Sequence, residues 1–212
     1  MNATSVIKIP GYRYNEYLLI LNPREDLRDK IMRVKKEFSE KYKAPVALYS
    51  KPHITLVNFV QFEMMEERLI NRLKIIASAY SEFKVELKDF GSFPSHTIFI
   101  NIESKEQVQN LIRQLRPAQQ LMTLNKENKP HFMADPHLTV ARKLLPWQYE
   151  QGWFDYSHRH FTGRFIADEM LLLKRSLETQ SDGLHLAGKY QIVQRFKFLN
   201  LPVSSAQGQL FQ

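Results

Sequence analysis

The sequence predicts an α+β fold of two similar lobes, each a small antiparallel sheet with helices on its outer face, and a cleft between them. Three observations predict it. A five-residue phrase, Pro-His-apolar-Thr-apolar, occurs at 52–56 and again at 136–140. Each copy is central to its half of a single bilobal domain spanning 1–212, the halves being about 12–102 and about 103–200. The order strand, helix, phrase, helix, strand can be read in both halves, with no low-complexity tract and no Gly/Ser linker.

The elements follow in chain order. Residues 17–21 are a short apolar run and a buried strand. Asn22 and Pro23 open a helix, as N-cap and first-turn proline, and Leu27, Ile31, Val34 and Phe38 carry its stripe to about Tyr42. A loop over 43–52 leads into the first phrase, whose Ile54, Leu56 and Val57 are strand formers. Helical spacing returns over 63–80 through Leu69, Leu73 and Ile76. Strands follow at 83–93 and 97–102, with Pro94 in the turn between them.

In the second half, Ser104 caps a helix over 104–124 with Val108, Leu111, Ile112 and Leu115 on one face, and Pro117 kinks or shortens it. A polar loop with Asn125, Lys126, Asn128 and Pro130 precedes the second phrase, and Pro146 opens a helix to about Tyr156. Residues 161–166 and 170–174 read as a hairpin, and 190–199 as a final strand with Tyr190, Ile192, Phe196 and Phe198 on one face.

Composition narrows the function classes. Hydrophobic residues make up 43% and charged residues 25%, which suits an ordinary globule able to bury its own core. There is no cysteine, so disulfides, thiolate metal sites and a cysteine nucleophile are excluded. Residues 1–11 hold no apolar run of signal-peptide length, and no stretch approaches a membrane span, so a cytoplasmic monomer without a membrane partner is the expectation. The net charge of +8 favours a polyanionic partner over a cationic one. There is no P-loop, no dinucleotide fingerprint and no His-Glu-x-x-His pattern, so neither a cofactor nor a catalytic metal is expected.

The phrase itself carries chemistry. Side chains at i and i+2 on a strand point the same way, roughly 6–7 Å apart. Each copy therefore presents an imidazole beside a hydroxyl, His53 with Thr55 and His137 with Thr139. Two such strands facing each other supply two acid/base groups and two hydroxyl donors, parts suited to a phosphate ester. His160-Phe161-Thr162 also fits His-x-Thr, but it lacks the leading proline and is followed by Gly163, so it is set aside. Lys51, Arg142 and Lys143 flank the phrases as possible substrate-binding cations. Arg142 stands at an odd offset from His137 and faces away on a regular strand unless a bulge intervenes, whereas Lys143 has matching parity at the edge of a loop. His96 and His131 are assigned to solvated turns and loops, and Trp147, Tyr149, Trp153 and Tyr156 to helix packing.

The two phrases resemble the signature of the 2H phosphoesterase superfamily, which includes the bacterial 2′-5′ RNA ligase-like proteins, also called RNA 2′,3′-cyclic phosphodiesterases. The likeness covers roughly residues 17–199, and His137-Leu138-Thr139-Val140-Ala141-Arg142 is especially close to the family's second motif. Leu171, Leu173, Ser176 and the strand at Tyr190 resemble its C-terminal hairpin. The resemblance implies the 2H phosphoesterase fold with both histidines in a central groove, no metal, proton transfer by His53 and His137, and phosphate oxygens held by Thr55 and Thr139. It implies a cyclic phosphodiesterase acting on RNA ends or cyclic-phosphate nucleotides, with 2′-5′ ligation as the reverse reaction. A small-molecule cyclic phosphoesterase, or a nucleotide- or RNA-binding module without turnover, uses the same groove. Which histidine is acid and which is base stays open in the sequence.

Overall fold

The computed structural model describes residues 12–180 and 183–202, and side chains outside 178–187. Residues 1–11, read above for the absence of a leader, lie outside the described residues.

The described residues build nine strands and five α-helices. Strand β1 (Tyr14–Leu21) leads to α1 (Glu25–Lys41), and a 3-10 turn (Pro45–Leu48) leads to β2 (Ile54–Phe62). Then come α2 (Glu66–Ser78), β3 (Phe83–Phe93), β4 (Thr97–Ile102) and α3 (Lys105–Leu115). The second half continues with α4 (Gln119–Met122), β5 (His131–Phe132), β6 (Leu138–Arg142) and α5 (Pro146–Tyr156), and ends with β7 (Thr162–Ala167), β8 (Glu169–Gln180) and β9 (Gly183–Lys197). Pro117 shortens α3 as its ring requires, falling in a 3-10 turn between α3 and α4. Helix α1 starts three residues after the expected cap. Arg24 is its N-cap without a side-chain bond, and Glu25 and Asp26 in the first turn meet the positive end of the helix dipole.

Two expectations need correcting. The strands form one nine-stranded sheet, not two small ones, in the order β7-β3-β4-β6-β2-β1-β8-β9 with β5 beside β2. Every pairing is antiparallel, and the two motif strands join through a single residue pair, Ile54 with Leu138. At Val57 and Asn58 β2 pairs with β5, so the motif strands part just past their junction. Strands β3, β4 and β7 lie on the second motif's side of that junction, and β1, β8 and β9 on the first's.

The second correction concerns the expected hairpin at 161–174. Strand β7 pairs with β3, whereas β8 pairs with β1 and β9. Only Asp168 separates β7 from β8, too short a link to reverse the chain, since even tight hairpins use two loop residues. The chain instead runs on, and the sheet is bent enough to bring these two strands end to end.

The sheet has one face covered by helices. Tyr17, Leu19 and Leu21 of β1, Ile54 and Leu56 of β2, and Leu138 and Val140 of β6 enter a single large core with Ile31 and Phe38 of α1, Leu69 and Leu73 of α2, Leu111 of α3, and Tyr156 of α5. The alternate residues of β1, Leu18 and Ile20, join Leu171 and the half-buried Leu173 and Tyr190 in a small separate cluster on the other face. That other face also carries the histidines and threonines of the two motifs. Among the described residues no helix is long and apolar enough to cross a membrane.

Ile54 and Leu138 are both fully buried at the one residue pair that joins the motif strands. Truncating either to alanine is expected to lower unfolding stability by about 2–5 kcal/mol, as for other large-to-small core changes. Urea unfolding followed by circular dichroism checks this, with the midpoint falling in each variant.

Candidate active site

The two motifs fold alike. In each, proline is buried, histidine half-buried, the next residue buried, threonine half-buried and the last apolar residue buried. The histidine sits one residue before its strand begins. His53 Nδ1 lies 2.7 Å from Lys51 O, and His137 Nδ1 lies 2.8 Å from Asp135 O. A carbonyl oxygen only accepts, so each Nδ1 carries the proton and donates it. Each Nε2 is then the nitrogen left to exchange protons. Between carbonyl and ring stands Pro52 or Pro136, whose fixed φ, with the extended bias it imposes on the residue before it, holds the two in reach. The proline is part of the device and not merely a residue tolerated at a strand start.

The Ile54–Leu138 pair sets the geometry. Continued one residue each way, the antiparallel register puts His53 across from Thr139 and Thr55 across from His137. The four side chains occupy the corners of a square, with the histidines on one diagonal and the threonines on the other. Directly opposed positions stand roughly 4.5–5.5 Å apart at Cβ.

A bulge follows each motif at the same place. Opposite β1, Leu56 is the extra residue, because Leu19 pairs with Val57 and Ile20 with Thr55. Opposite β4, Val140 is the extra residue, because Phe99 pairs with Thr139 and Ile98 with Ala141. Each bulge resets the alternation, so Asn58 and Arg142, five residues after their histidines, return to the face of the site. Arg142 is therefore on the motif face, where a regular strand would have turned it away, and its charge acts on His53. Lys143 is exposed in the bend after β6 with left-handed backbone (φ 55), and Lys51 is exposed and contributes its carbonyl.

The surroundings of the two imidazoles differ. Burial pushes the His53 pKa down to about 4; the bond to Lys51 O opposes the shift, and the charges of Lys35, Arg142 and His137 add to it. Burial also lowers His137, against the opposing hydrogen bond to Asp135 O and the Asp135 carboxylate. Asp135 is itself held by Lys105 at 2.6 Å. The His137 ring packs edge-on against Phe93, with centroids 4.9 Å apart, and at 4.8 Å against Phe99. Phe99 lies across Gly91, where a Cβ would come within 2.6 Å of the ring, so only glycine leaves room for it.

Several of these groups escape sequence reasoning. Glu16 of β1 is buried and binds Arg175 Nε at 2.5 Å, Tyr190 OH at 2.6 Å and Asn58 Nδ2 at 3.1 Å. Burial raises its pKa, but those hydrogen bonds outweigh the effect and hold it below the ordinary value. The Arg175 guanidinium lies over the Tyr190 ring at 4.5 Å. This cluster fixes the β8–β9 side of the motif face. For the return of Asn58 and Arg142 to the motif face, the sequence signal is the pair of adjacent apolar residues at Leu56-Val57 and Val140-Ala141, which marks the bulges.

His160 is exposed and pairs with Asp89, and His96 is exposed in the turn before β4. His131, expected in a loop, is exposed in the two-residue β5 across from Asn58. Tyr156 is core, Tyr149 and Trp153 pack against it, and Trp147 is exposed. Among the described residues no group of three or more His, Asp or Glu side chains is placed to hold a metal ion.

A family model described as the 2′-5′ RNA ligase superfamily matches residues 23–179. No curated protein matches the sequence. Solved structures share the fold at low identity. E. coli LigT complexed with 3′-AMP aligns with a TM-score of 0.57 and 15% identity, over 87% of this chain and 98% of LigT. The same protein complexed with phosphate gives 0.55 and 14%, over 88% and 98%. The protein TT0787 of Thermus thermophilus gives 0.56 and 17%, over 87% and 98%.

The lowered His53 pKa has a stability consequence. The unfolded imidazole takes its proton near 6.5 and the folded one only near 4. The contribution is therefore fully present above about pH 6.5 and is lost as pH falls towards 4. The expected outcome is a thermal midpoint that drops between these values, and drops less in His53→Ala, as read by calorimetry across that range.

Proposed function

The chain belongs to the 2′-5′ RNA ligase superfamily, and from that footing we propose that it is a metal-independent phosphodiesterase opening 2′,3′-cyclic phosphates on RNA ends or nucleotides. The observation that carries this reading is the pair of imidazoles, each fixed through Nδ1 to a backbone carbonyl and set on opposite corners of one square with two threonine hydroxyls.

Opening a cyclic phosphate by in-line attack needs a proton taken from water on one side of phosphorus and given to the departing ribose oxygen on the other. Histidines on a diagonal meet that demand, and imidazole is the side chain able to do both near neutral pH. Thr55 and Thr139, on the other diagonal, donate to the non-bridging oxygens as negative charge builds on them. Arg142, returned to this face by its bulge, adds positive charge beside the same oxygens. Ligation to a 2′-5′ bond uses the same groups with the 5′-hydroxyl of a second RNA in place of water: that oxygen bonds to phosphorus as its proton is taken, and the bond from phosphorus to the 3′ oxygen breaks as that oxygen gains a proton. Solved structures of similar fold hold phosphate and 3′-AMP, a free phosphate and a nucleoside monophosphate, and so are compatible with a phosphate-bearing substrate.

Hydrolysis of a short RNA ending in a 2′,3′-cyclic phosphate, with EDTA present, tests the reading. Turnover is expected in the wild type, with a bell-shaped pH profile. His53→Ala and His137→Ala should each lose about 10²–10⁴-fold in kcat. Thr55→Val and Thr139→Val should each lose about 10–1,000-fold, the scale of removing one donor to a developing oxyanion. Nucleotide binding without turnover in the wild type would assign the chain to a binding role instead.

A further inference from the structure

Lys35 of α1 is 1% exposed, yet among the described residues it has no carboxylate partner. Its ammonium lies 3.3 Å from the carbonyl oxygen of Thr139, within the second motif, and 3.5 Å from Ser50 Oγ, just ahead of the first. It is thus inserted from the helix side beneath the junction of the two motif strands. A buried ammonium satisfied only by neutral oxygens is destabilising, because its desolvation is not offset by an opposite charge. Burial, with the Arg142 charge, accordingly lowers its pKa to about 8, which leaves it protonated at neutral pH. A methionine of similar length fills such a site without the charge. The position calls for an explanation in which the charge itself is useful.

We infer that Lys35 is a positioning residue whose buried charge, set beneath the motif junction, adds to burial in keeping His53 neutral, which makes His53 the base and His137 the acid. This rests on the phosphodiesterase reading above. Burial is the largest influence against a proton on His53; the charged groups that add to it are Lys35 from α1, Arg142 from β6 and His137 just ahead of β6, and the contact favouring its protonated form is the bond to Lys51 O. His137 faces the Asp135 carboxylate, Lys105 from α3, and the rings of Phe93 and Phe99. Burial lowers both imidazoles, but at His137 the Asp135 carboxylate favours the imidazolium against it and against the Lys105 charge, whereas at His53 no carboxylate offsets burial and the cations. Two motifs with the same histidine and threonine are thereby made unequal by what stands around them.

The step then has a direction. A water oxygen forms its bond to phosphorus and gives its proton to His53 Nε2. The bond from phosphorus to one ribose oxygen breaks, and that oxygen takes the proton from His137 Nε2. One water is added overall, and the two imidazoles return to their starting forms by proton exchange with solvent.

The test compares wild type, Lys35→Met and Lys35→Arg by NMR titration of the assigned His53 and His137 rings in the free protein. The expected result is a His53 pKa raised by about one unit in Lys35→Met, with His137 unmoved and Lys35→Arg close to wild type. On the cyclic-phosphate RNA, the acid limb of the kcat/KM profile should move towards neutrality by the same amount in Lys35→Met, with the alkaline limb fixed. An unmoved His53 in Lys35→Met overturns the inference, as does an equal shift of both histidines. A lowered unfolding midpoint with no change at His53 also overturns it, since that is the signature of a hydrogen bond to the backbone alone. The titration needs no substrate, so absence of turnover would defeat the functional reading separately from this one.

Discussion

A single backbone pairing, Ile54 against Leu138, organises the molecule. Both residues are the central member of the same five-residue phrase, and the strands run antiparallel. A phrase that meets itself antiparallel at its centre sends like residues to opposite corners, so histidine lands across from threonine twice. A slip of one residue would turn every motif side chain of one strand towards the helices. The register is held because Ile54, Leu56, Leu138 and Val140 are committed to the core on the other face. The hydrophobic core that stabilises the sheet therefore also fixes the arrangement of the four polar groups.

Near-symmetry places the parts, and departures from it give them different characters. Behind the junction stands a buried ammonium with only neutral oxygens around it, on one side of the motif pair. In front of His137 stand two aromatic rings and a carboxylate. Gly91 belongs to the same arrangement, since the absence of its Cβ lets Phe99 lie flat enough to support His137. These features compromise stability locally, through a desolvated charge and a glycine in a strand. Such compromises concentrate where a protein needs particular electrostatics more than it needs packing.

The elements with strong periodicity were legible in the sequence. The stripes of α1 and α3 and the two motif strands fall where the spacing of apolar residues put them. What misled was connectivity. Strands β7 and β8 are adjacent in sequence and look like a hairpin, but their partners are chosen by long-range burial, which local pattern does not encode. The same holds for one continuous sheet in place of two, because its continuity depends on one pair of residues. At the site, the four motif residues were legible because they repeat. The side of the strand taken by Arg142 depended on a bulge that shows in sequence only as two adjacent apolar residues. Lys35 was not legible at all: on a helix rich in lysine and glutamate, nothing marks one lysine as buried.

In the proposed reaction both motifs act on one phosphorus atom. NMR of the two assigned imidazoles during titration with a nucleoside 2′,3′-cyclic vanadate, a mimic of the five-coordinate phosphorus, tests it most directly. The Nε2 signals of His53 and His137 are expected to shift together along a single saturation curve. A shift confined to one imidazole, or two curves with different midpoints, would contradict it.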